Sequence, residues 1–201
     1  MSVSQDSPDR DPARQHPARP QDTGPQDTGP REAVRREAAG PPDRPQAGWV
    51  ALVGAGPGDE GLLTVRAAEL LGQASVVIAG PDLAALAGRY LRQDAQLADP
   101  ADGAATRLLV QTARDGRLAV RLYSGDPLLS GAAQDATACA KAGIRFEIVP
   151  GVPAATAVPA YAGIPLASDR NGELRIIHAA EASQLAYSPA TLVVQIGRAH
   201  V

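Results

Sequence analysis

Short apolar runs alternate with amphipathic stretches between residues 49 and 161 of this 201-residue chain, and the alternation predicts strands that are followed by helices. The apolar runs hold four to six residues, a length typical of strands buried on both faces of a parallel sheet. The segment 92–104 is polar and predicts no regular element. The order of the elements favours an α/β fold with a mostly parallel sheet and crossover helices. We expect strands at 50–53, 74–79, 118–123 and 145–149, and helices at 62–72, 83–91, 106–114, 132–142 and 153–161.

Beyond Leu166 the apolar pattern weakens, and only two more strands are predicted, at 174–178 and 191–195. We therefore expect a first α/β domain at 48–152 and an incomplete second α/β domain at 153–195. The apolar positions of the first predicted helix are Leu62, Val65, Leu70 and Leu71.

The first 47 residues differ in composition from the rest of the chain. They hold 9 of its 18 prolines, a tandem QDTGP repeat and only three large apolar side chains. Such a segment cannot bury enough apolar surface to offset its conformational entropy, which predicts a disordered tail at 1–47. Seven Arg stand beside six Asp and two Glu in the tail, a balance that argues against a nucleic-acid-binding arm.

The whole chain carries a net charge of −3 and a single cysteine, Cys139. One cysteine excludes a disulfide framework and a thiolate metal cluster, and we interpret Cys139 as a small buried side chain. His16, His178 and His200 form no set of ligands in the sequence, so we predict no metal site. No apolar run approaches the roughly 18 residues of a membrane span, and no secretory signal is present. We therefore expect a cytoplasmic protein without a membrane or nucleic-acid partner.

The predicted chemistry lies in the loops that follow the strands, because open α/β sheets bind ligands at the carboxyl ends of their strands. The loop 54–59 (GAGPGD) contains Gly54, Gly56 and Gly58, which allow a tight turn and a close approach to a ligand. Asp59 stands where a dinucleotide-binding fold has its last glycine and would repel a pyrophosphate, and no Lys-Ser/Thr pair of a P-loop follows. Asp59 is therefore either a helix N-cap or a group that faces a neutral or cationic ligand.

The strand at 118–123 ends in a second loop of this kind, Ser124-Gly125-Asp126-Pro127, and Pro150-Gly151 makes another sharp turn after the fourth strand. The first two loops each carry one carboxylate at neighbouring strand ends. They suit a cationic cofactor with polar hydroxyl groups, but they do not identify it.

Three stretches resemble, in order, the motifs of the tetrapyrrole methylases, notably the uroporphyrinogen-III C-methyltransferases. Residues 53–68 (VGAGPGDEGLLTVRAA) resemble the opening motif, residues 118–131 (LAVRLYSGDPLLSG) the second and residues 146–166 (FEIVPGVPAATAVPAYAGIPL) the third. From the start of the first to the end of the last, they span about 120 residues. Within this family, the chain most resembles the divergent methylase region at the start of actinobacterial proteins in which a uroporphyrinogen-III synthase domain follows.

The resemblance implies a two-domain methylase that binds S-adenosylmethionine between its domains. It implies methylation of ring carbons of uroporphyrinogen III, on the route to sirohaem and cobalamin, while a base takes a proton from the macrocycle. The partners that it suggests are a second copy of the chain, as a homodimer, and a fused uroporphyrinogen-III synthase domain. When the family's cofactor contacts are transferred to the matching positions of this sequence, the resemblance implies contacts at Pro57, Ser124, Gly125, Asp126, Leu129, Pro153 and Ala154.

The sequence departs from the family at the positions that face the substrate. The family's acid after the second strand aligns with Gly80, and the nearest acid, Asp82, is the candidate substitute two residues away. The segment 92–104 is shorter than in the family and lacks its Lys and His. Tyr123-Ser124 replaces Lys-Gly, Pro153-Ala154 replaces Thr-Ala or Thr-Ser, and the Arg-Gly-Gly-Glu that follows the second motif is missing. Loss of an acid or base typically costs about 10²–10⁴ in rate.

Two functions therefore stay open: an active methylase of uroporphyrinogen III, and a catalytically degenerate domain that binds the cofactor or serves as a scaffold for a fused synthase. A nucleotide-dependent oxidoreductase is disfavoured by Asp59 and by the absence of a ribose-binding acid after the second strand.

The last six residues, 196–201 (IGRAHV), resemble a translated sequencing adapter. We therefore expect natural sequence to end near Gln195 and the 201-residue chain to be an inactive fragment whose cleft lacks one wall.

Overall fold

The computed structural model describes residues 47–100, 104–167, 172–180 and 190–196. The predicted tail lies outside the described residues up to residue 46, as does the adapter-like end from residue 197 onward. The described strands are β1 (Trp49–Gly54), β2 (Val76–Ile78), β3 (Gln96–Ala98), β4 (Leu118–Tyr123), β5 (Phe146–Val149), β6 (Leu174–His178) and β7 (Thr191–Gln195). The described α-helices are α1 (Val65–Gln73), α2 (Pro81–Gly88), α3 (Ala105–Arg114), α4 (Ala133–Lys141) and α5 (Ala154–Tyr161).

Five strands form one parallel sheet in the order β3-β2-β4-β1-β5. Strand β1 lies between β4 and β5, so that Ala51 pairs with Val120 on one side and with Glu147 on the other. A helix follows each strand of this sheet, as parallel neighbours require. The prediction of an α/β fold with a mostly parallel sheet and crossover helices is confirmed. Strands β6 and β7 pair with each other in a separate parallel sheet, and the division of the chain at residue 152 stays a prediction.

Strand β3 corrects the expectation that segment 92–104 holds no regular element. It pairs in parallel with β2, so that Leu97 lies opposite Val77. Only one side of β3 is paired, and its first two residues are exposed. An edge strand of this kind needs no continuous apolar run, so its sequence pattern is that of a polar loop. The expectation is wrong because backbone pairing, and not burial, forms this strand.

Helix α1 begins later than its apolar pattern predicts. The side chain of Thr64 accepts a hydrogen bond from the N–H of Ala67 at 3.1 Å, so Thr64 caps the helix and sets its first residue at Val65. The preceding residues Glu60–Leu62 form a short 3₁₀ turn. Of the apolar positions, Val65 is 77% exposed and lies outside the core, whereas Leu70 is fully buried.

Alternate residues of the central strands build two hydrophobic layers, one on each face of the sheet. Val53 packs with residues of α1 and α2, and Leu52 packs on the opposite face with residues of α3 and α4. Because helices cover both faces, the strands appear in the sequence as continuous apolar runs. Cys139 of α4 is buried as predicted. Burial, and to a smaller extent the nearby carboxylate of Asp135, raises the pKa of its thiol to about 11.

None of the helices in the described part of the chain combines the length and hydropathy that a membrane span needs. The longest of these helices, α3, has 10 residues.

Candidate functional site

Three glycines bring the carboxyl ends of β1, β4 and β5 into backbone contact. Gly54 ends β1, Gly125 follows β4 and Gly151 follows β5. A Cβ on Gly54 would lie 2.6 Å from the carbonyl oxygen of Gly125 and 2.6 Å from the Cα of Gly151, closer than real Cβ atoms approach. The three strand ends therefore meet as bare backbone, with no side chain between them. We call Gly54, Gly125 and Gly151 the glycine floor.

A pair of backbone hydrogen bonds joins the two loops that the sequence singles out. The N–H of Gly125 donates to the carbonyl oxygen of Gly56 at 2.7 Å, and the N–H of Gly56 donates to the carbonyl oxygen of Gly125 at 3.3 Å. Gly56 and Gly125 have φ angles of 73° and 68°, in a region that residues with a Cβ rarely adopt. The two loops thus lie side by side, and their geometry requires glycine at both positions of the bridge.

The carboxylate of Asp126 connects the second loop to the end of β5. Its Oδ2 accepts a hydrogen bond from the N–H of Gly151 at 3.1 Å, and its Oδ1 accepts one from the N–H of Leu128 at 2.9 Å. Asp126 therefore holds the glycine floor together from one side and places a carboxylate beside it. The N–H of Leu129 donates to the carbonyl oxygen of Asp126 at 3.1 Å, so this predicted contact lies on the same turn.

Residues of the third motif border the glycine floor. A Cβ built on Gly125 would lie 3.4 Å from the Cα of Pro153 and 3.7 Å from the nitrogen of Ala154. Pro153 is also the N-cap of α5, so this helix starts at the floor. Ser124 is an exposed residue of the second loop, and Pro57 follows the bridge in the first. The structure thus brings predicted contacts from all three motifs to one edge of the sheet.

Asp59 caps the 3₁₀ turn that precedes α1, whereas the N-cap of α1 itself is Thr64 and not Asp59. Its Oδ1 accepts a hydrogen bond from the N–H of Gly61, and its Oδ2 accepts one from the hydroxyl of Tyr161 at the end of α5, both at 2.8 Å. The hydrogen bond from Tyr161, followed by that from Gly61, holds the pKa of Asp59 below its ordinary value. Asp59 and Tyr161 are 102 positions apart in the chain, so the sequence gives no signal for their contact.

We expect Tyr161→Phe to raise the pKa of Asp59 toward its ordinary value, because the carboxylate loses its main stabilising hydrogen bond. The folded-state pKa lies below the unfolded one, so this contact stabilises the fold above about pH 4 and is lost as the pH falls through the folded-state pKa. A carboxyl NMR titration measures the shift. Tyr90→Phe is the matched control, since the hydroxyl of Tyr90 donates to Glu60 at 3.0 Å. An Asp59 pKa that Tyr161→Phe leaves unchanged would contradict the contact.

The position aligned with the family's acid, and its candidate substitute, lie at the carboxyl end of β2. Gly80 is the N-cap of α2, and Asp82 belongs to the first turn of that helix. The Oδ1 of Asp82 lies 2.8 Å from the point that a Cβ on Gly80 would occupy. A carboxylate oxygen therefore lies beside the point where a side chain at position 80 would begin. Because β2 and β4 are parallel neighbours, with Ile78 opposite Arg121, this carboxylate lies at the same edge of the sheet as the glycine floor.

Sequence reasoning missed a buried polar cluster beside the second loop, formed by Thr106, Arg121, Tyr123 and Asp135. The hydroxyl of Tyr123 donates to Oδ2 of Asp135 at 2.6 Å, the hydroxyl of Thr106 donates to Oδ1, and Nε of Arg121 lies 2.9 Å from Oδ2. Burial, and then the hydrogen bond to Asp135, raises the pKa of the Tyr123 hydroxyl, which stays protonated. Asp135 shares the buried face of α4 with Cys139, and this helical spacing is the signal that could have found it.

Comparison with known proteins finds a family model and several relatives that match this chain. The family model described as Tetrapyrrole (Corrin/Porphyrin) Methylases matches residues 50–200. The siroheme synthase 1 of Pectobacterium atrosepticum is 45% identical over 129 residues, which are 59% of this chain and 27% of that protein. The siroheme synthase of Zymomonas mobilis is 39% identical over 134 residues, or 62% of this chain and 28% of that protein. The chain thus spans less than a third of the length of these curated relatives.

Several solved structures of methyltransferases have the same fold as this chain. The uroporphyrin-III C-methyltransferase of Thermus thermophilus is 33% identical with a TM-score of 0.62, over 74% of this chain and 68% of that one. A structure of the Thermus thermophilus enzyme complexed with S-adenosylhomocysteine is 30% identical with a TM-score of 0.55, over 65% and 55% of the two chains. A cobalt precorrin-4 methyltransferase of cobalamin biosynthesis is 29% identical with a TM-score of 0.60, over 65% and 57%.

Proposed function

Because the chain belongs to the tetrapyrrole (corrin/porphyrin) methylase family, we propose that it binds S-adenosylmethionine and takes part in the C-methylation of uroporphyrinogen III. The observation that carries this proposal is the glycine floor. It presents bare backbone from three strand ends at the edge of a parallel sheet, the place where such sheets bind ligands. The complex of the Thermus thermophilus relative with S-adenosylhomocysteine supports the choice of cofactor.

The residues around the floor suit a cofactor that is cationic at sulfur and carries hydroxyl groups. Asp59 and Asp126 place one carboxylate on each of the two joined loops, and negative charge favours a sulfonium over a pyrophosphate. The missing Cβ atoms of Gly56 and Gly125 allow a ligand to approach the backbone closely. The proposed contacts are Pro57, Ser124, Gly125, Asp126, Leu129, Pro153 and Ala154.

When bound, the cofactor supplies an electrophilic methyl group. The contribution of the chain is to orient that group toward a ring carbon of the substrate and to exclude water from it. As the ring carbon is methylated, the macrocycle must release a proton, and a carboxylate can take it. Asp82 is the proposed base, because its Oδ1 lies 2.8 Å from the point where a side chain at Gly80 would begin.

A second function is favoured by a specific feature, the glycine at position 80. Without Asp82 as a working base, the domain would bind the cofactor and transfer no methyl group. It would then serve as a cofactor-binding or scaffold domain, and a fused uroporphyrinogen-III synthase is the partner proposed for it.

We further propose that the protein acts in the cytoplasm as a homodimer. A single cysteine suits a reducing compartment. The exposed apolar side chains of Val158, Tyr161 and Ile164, on and after α5, offer a surface that a second copy can cover. Sedimentation velocity of the purified protein measures the oligomeric state.

The test of the proposed function is a methyl-transfer assay on the protein in the full length that its gene encodes. Uroporphyrinogen III is incubated with S-adenosylmethionine that carries a labelled methyl group, and binding of S-adenosylhomocysteine is measured in parallel by calorimetry. An active methylase transfers the label to the tetrapyrrole. A degenerate domain binds S-adenosylhomocysteine and transfers no label. Absence of both binding and transfer would contradict the methylase function and every cofactor contact proposed above.

A further inference from the structure

The second loop of the site is closed at its base by a buried hydrogen bond. The loop begins after β4 and ends where α4 starts. Tyr123 is the last residue before the loop, and Asp135 lies in the first turn of the helix after it. The hydroxyl of Tyr123 donates to Oδ2 of Asp135 at 2.6 Å, so one bond joins the two ends of the loop. Closing a loop in this way restricts the conformations open to the residues within it.

The main chain of Tyr123 is attached to the first loop at the same time. Its carbonyl oxygen accepts a hydrogen bond from the N–H of Ala55 at 2.8 Å. Two residues later, Gly125 makes the bridge with Gly56 and contributes to the glycine floor. Tyr123 is therefore fixed by its side chain to α4 and by its backbone to the β1 loop. Any rotation of the end of β4 would break one of these attachments.

The cluster around Asp135 has the partners that a buried carboxylate needs. Asp135 is 4% exposed, and its two oxygens are contacted by the hydroxyls of Thr106 and Tyr123 and by the guanidinium of Arg121. Apolar side chains of the same volume often stabilise a fold as well as a buried group of charged and polar side chains does. What the hydrogen bonds to Asp135 add is a defined geometry, because the hydroxyls of Thr106 and Tyr123 reach its two oxygens in one arrangement of β4, α3 and α4.

Resting on the proposed function, we propose that Tyr123 and Asp135 are positioning residues for the cofactor. Their hydrogen bond holds the backbone of residues 124–126 in the conformation that receives S-adenosylmethionine. Both side chains are buried, so they act through the loop and not by touching the cofactor. A loop that is already ordered binds more tightly, because less conformational freedom is lost on binding.

The test is Tyr123→Phe in the full-length protein, a change that removes one hydroxyl and keeps the packing of the ring. We expect the Kd for S-adenosylhomocysteine, measured by calorimetry, to rise about tenfold, the size of effect that loss of a hydrogen bond to a charged group produces. The KM for S-adenosylmethionine should rise with it, with the binding stoichiometry and kcat little changed. A merely structural role would instead lower the stoichiometry and kcat together, at an unchanged Kd.

Tyr90→Phe is the matched control, because it also removes a hydroxyl that donates to a carboxylate, that of Glu60, but leaves the ends of the second loop untouched. The partner variant, Asp135→Asn, should weaken binding as well. In the double variant, Tyr123→Phe should add little to the effect of Asp135→Asn, because the two residues act through one bond.

Hydrogen exchange gives a second readout. In Tyr123→Phe, the amides of Ala55 and Gly125 should exchange faster, with the amides of β2 unchanged.

Each outcome decides between the two proposals. A wild-type protein that binds no S-adenosylhomocysteine would overturn the proposed function. A wild-type protein that binds it, with a Tyr123→Phe variant of equal Kd, would overturn the positioning role and leave the function standing. Unfolding of Tyr123→Phe would also overturn the positioning role, since the hydroxyl would then support the whole fold and not the loop.

Discussion

Gly151→Ala abolishes the binding of S-adenosylhomocysteine while the rest of the sheet stays folded; this is the first of the two largest effects that we expect. A Cβ on Gly151 would overlap the carbonyl oxygen of Gly125 and lie 2.8 Å from the carbonyl carbon of Gly54. Both are backbone atoms of the glycine floor, so neither can rotate away. The turn after β5 must shift, and the N–H of Gly151 then loses its hydrogen bond to Asp126. Overpacking of this kind destabilises a protein by about 1–3 kcal/mol.

Gly88→Ala is the matched control for this change. Gly88 lies at the end of α2, and a Cβ there would meet nothing within 4 Å. Replacement of a helical glycine by alanine in open space stabilises a fold by about 0.4–1 kcal/mol. Urea unfolding measures the change in stability, and equilibrium dialysis measures cofactor binding. Gly151→Ala that binds as tightly as the wild-type protein would contradict the role of the floor.

The second large effect is a fall in kcat of about 10²–10⁴ in Asp82→Asn, with the Kd for S-adenosylhomocysteine unchanged. Asparagine keeps the size of the side chain and loses the carboxylate that we propose takes the proton. The expectation follows from the position of Oδ1 of Asp82, which is 2.8 Å from the point that a Cβ on Gly80 would occupy. Steady-state kinetics with labelled S-adenosylmethionine, combined with calorimetry, separate the two parameters.

Asp115→Asn serves as the control for this prediction. Asp115 is the C-cap of α3, at the opposite end of β4 from the glycine floor, and its carboxylate pairs with Arg117 at 3.1 Å. Its loss should leave kcat unchanged, because surface ion pairs contribute little. An active wild-type protein with an equally active Asp82→Asn variant would exclude Asp82 as the base. An inactive wild-type protein that binds S-adenosylhomocysteine would favour the scaffold function.

The apolar runs of β1 and β4 were predictable because both strands are covered by helices on two faces, so burial leaves its pattern in the sequence. Strand β3 was not predictable in this way. Its residues are paired to β2 along one side only, and the information that forms the strand lies in β2. The start of α1 depended on the capping side chain of Thr64, a local signal that the apolar spacing concealed.

In the candidate site too, some features could be predicted from the sequence and others could not. The closeness of the loops after β1 and β4 was predictable, since the carboxyl ends of parallel strands share one edge of a sheet. The contact of Gly151 with Gly54 depends on the strand order β4-β1-β5, which the order of elements along the chain does not determine. The hydrogen bonds from Tyr161 to Asp59 and from Tyr123 to Asp135 likewise arise only when distant elements pack together.

Backbone amide NMR of the full-length protein during titration with S-adenosylhomocysteine is the most direct test that the glycine floor receives the cofactor. The largest chemical-shift changes are predicted at the amides of the glycine floor, Gly54, Gly125 and Gly151, where the three strand ends meet. The amide of Arg114, at the far end of α3, should change little. Saturable binding with its largest changes away from these three glycines, or no binding at all, would contradict the assignment of the site.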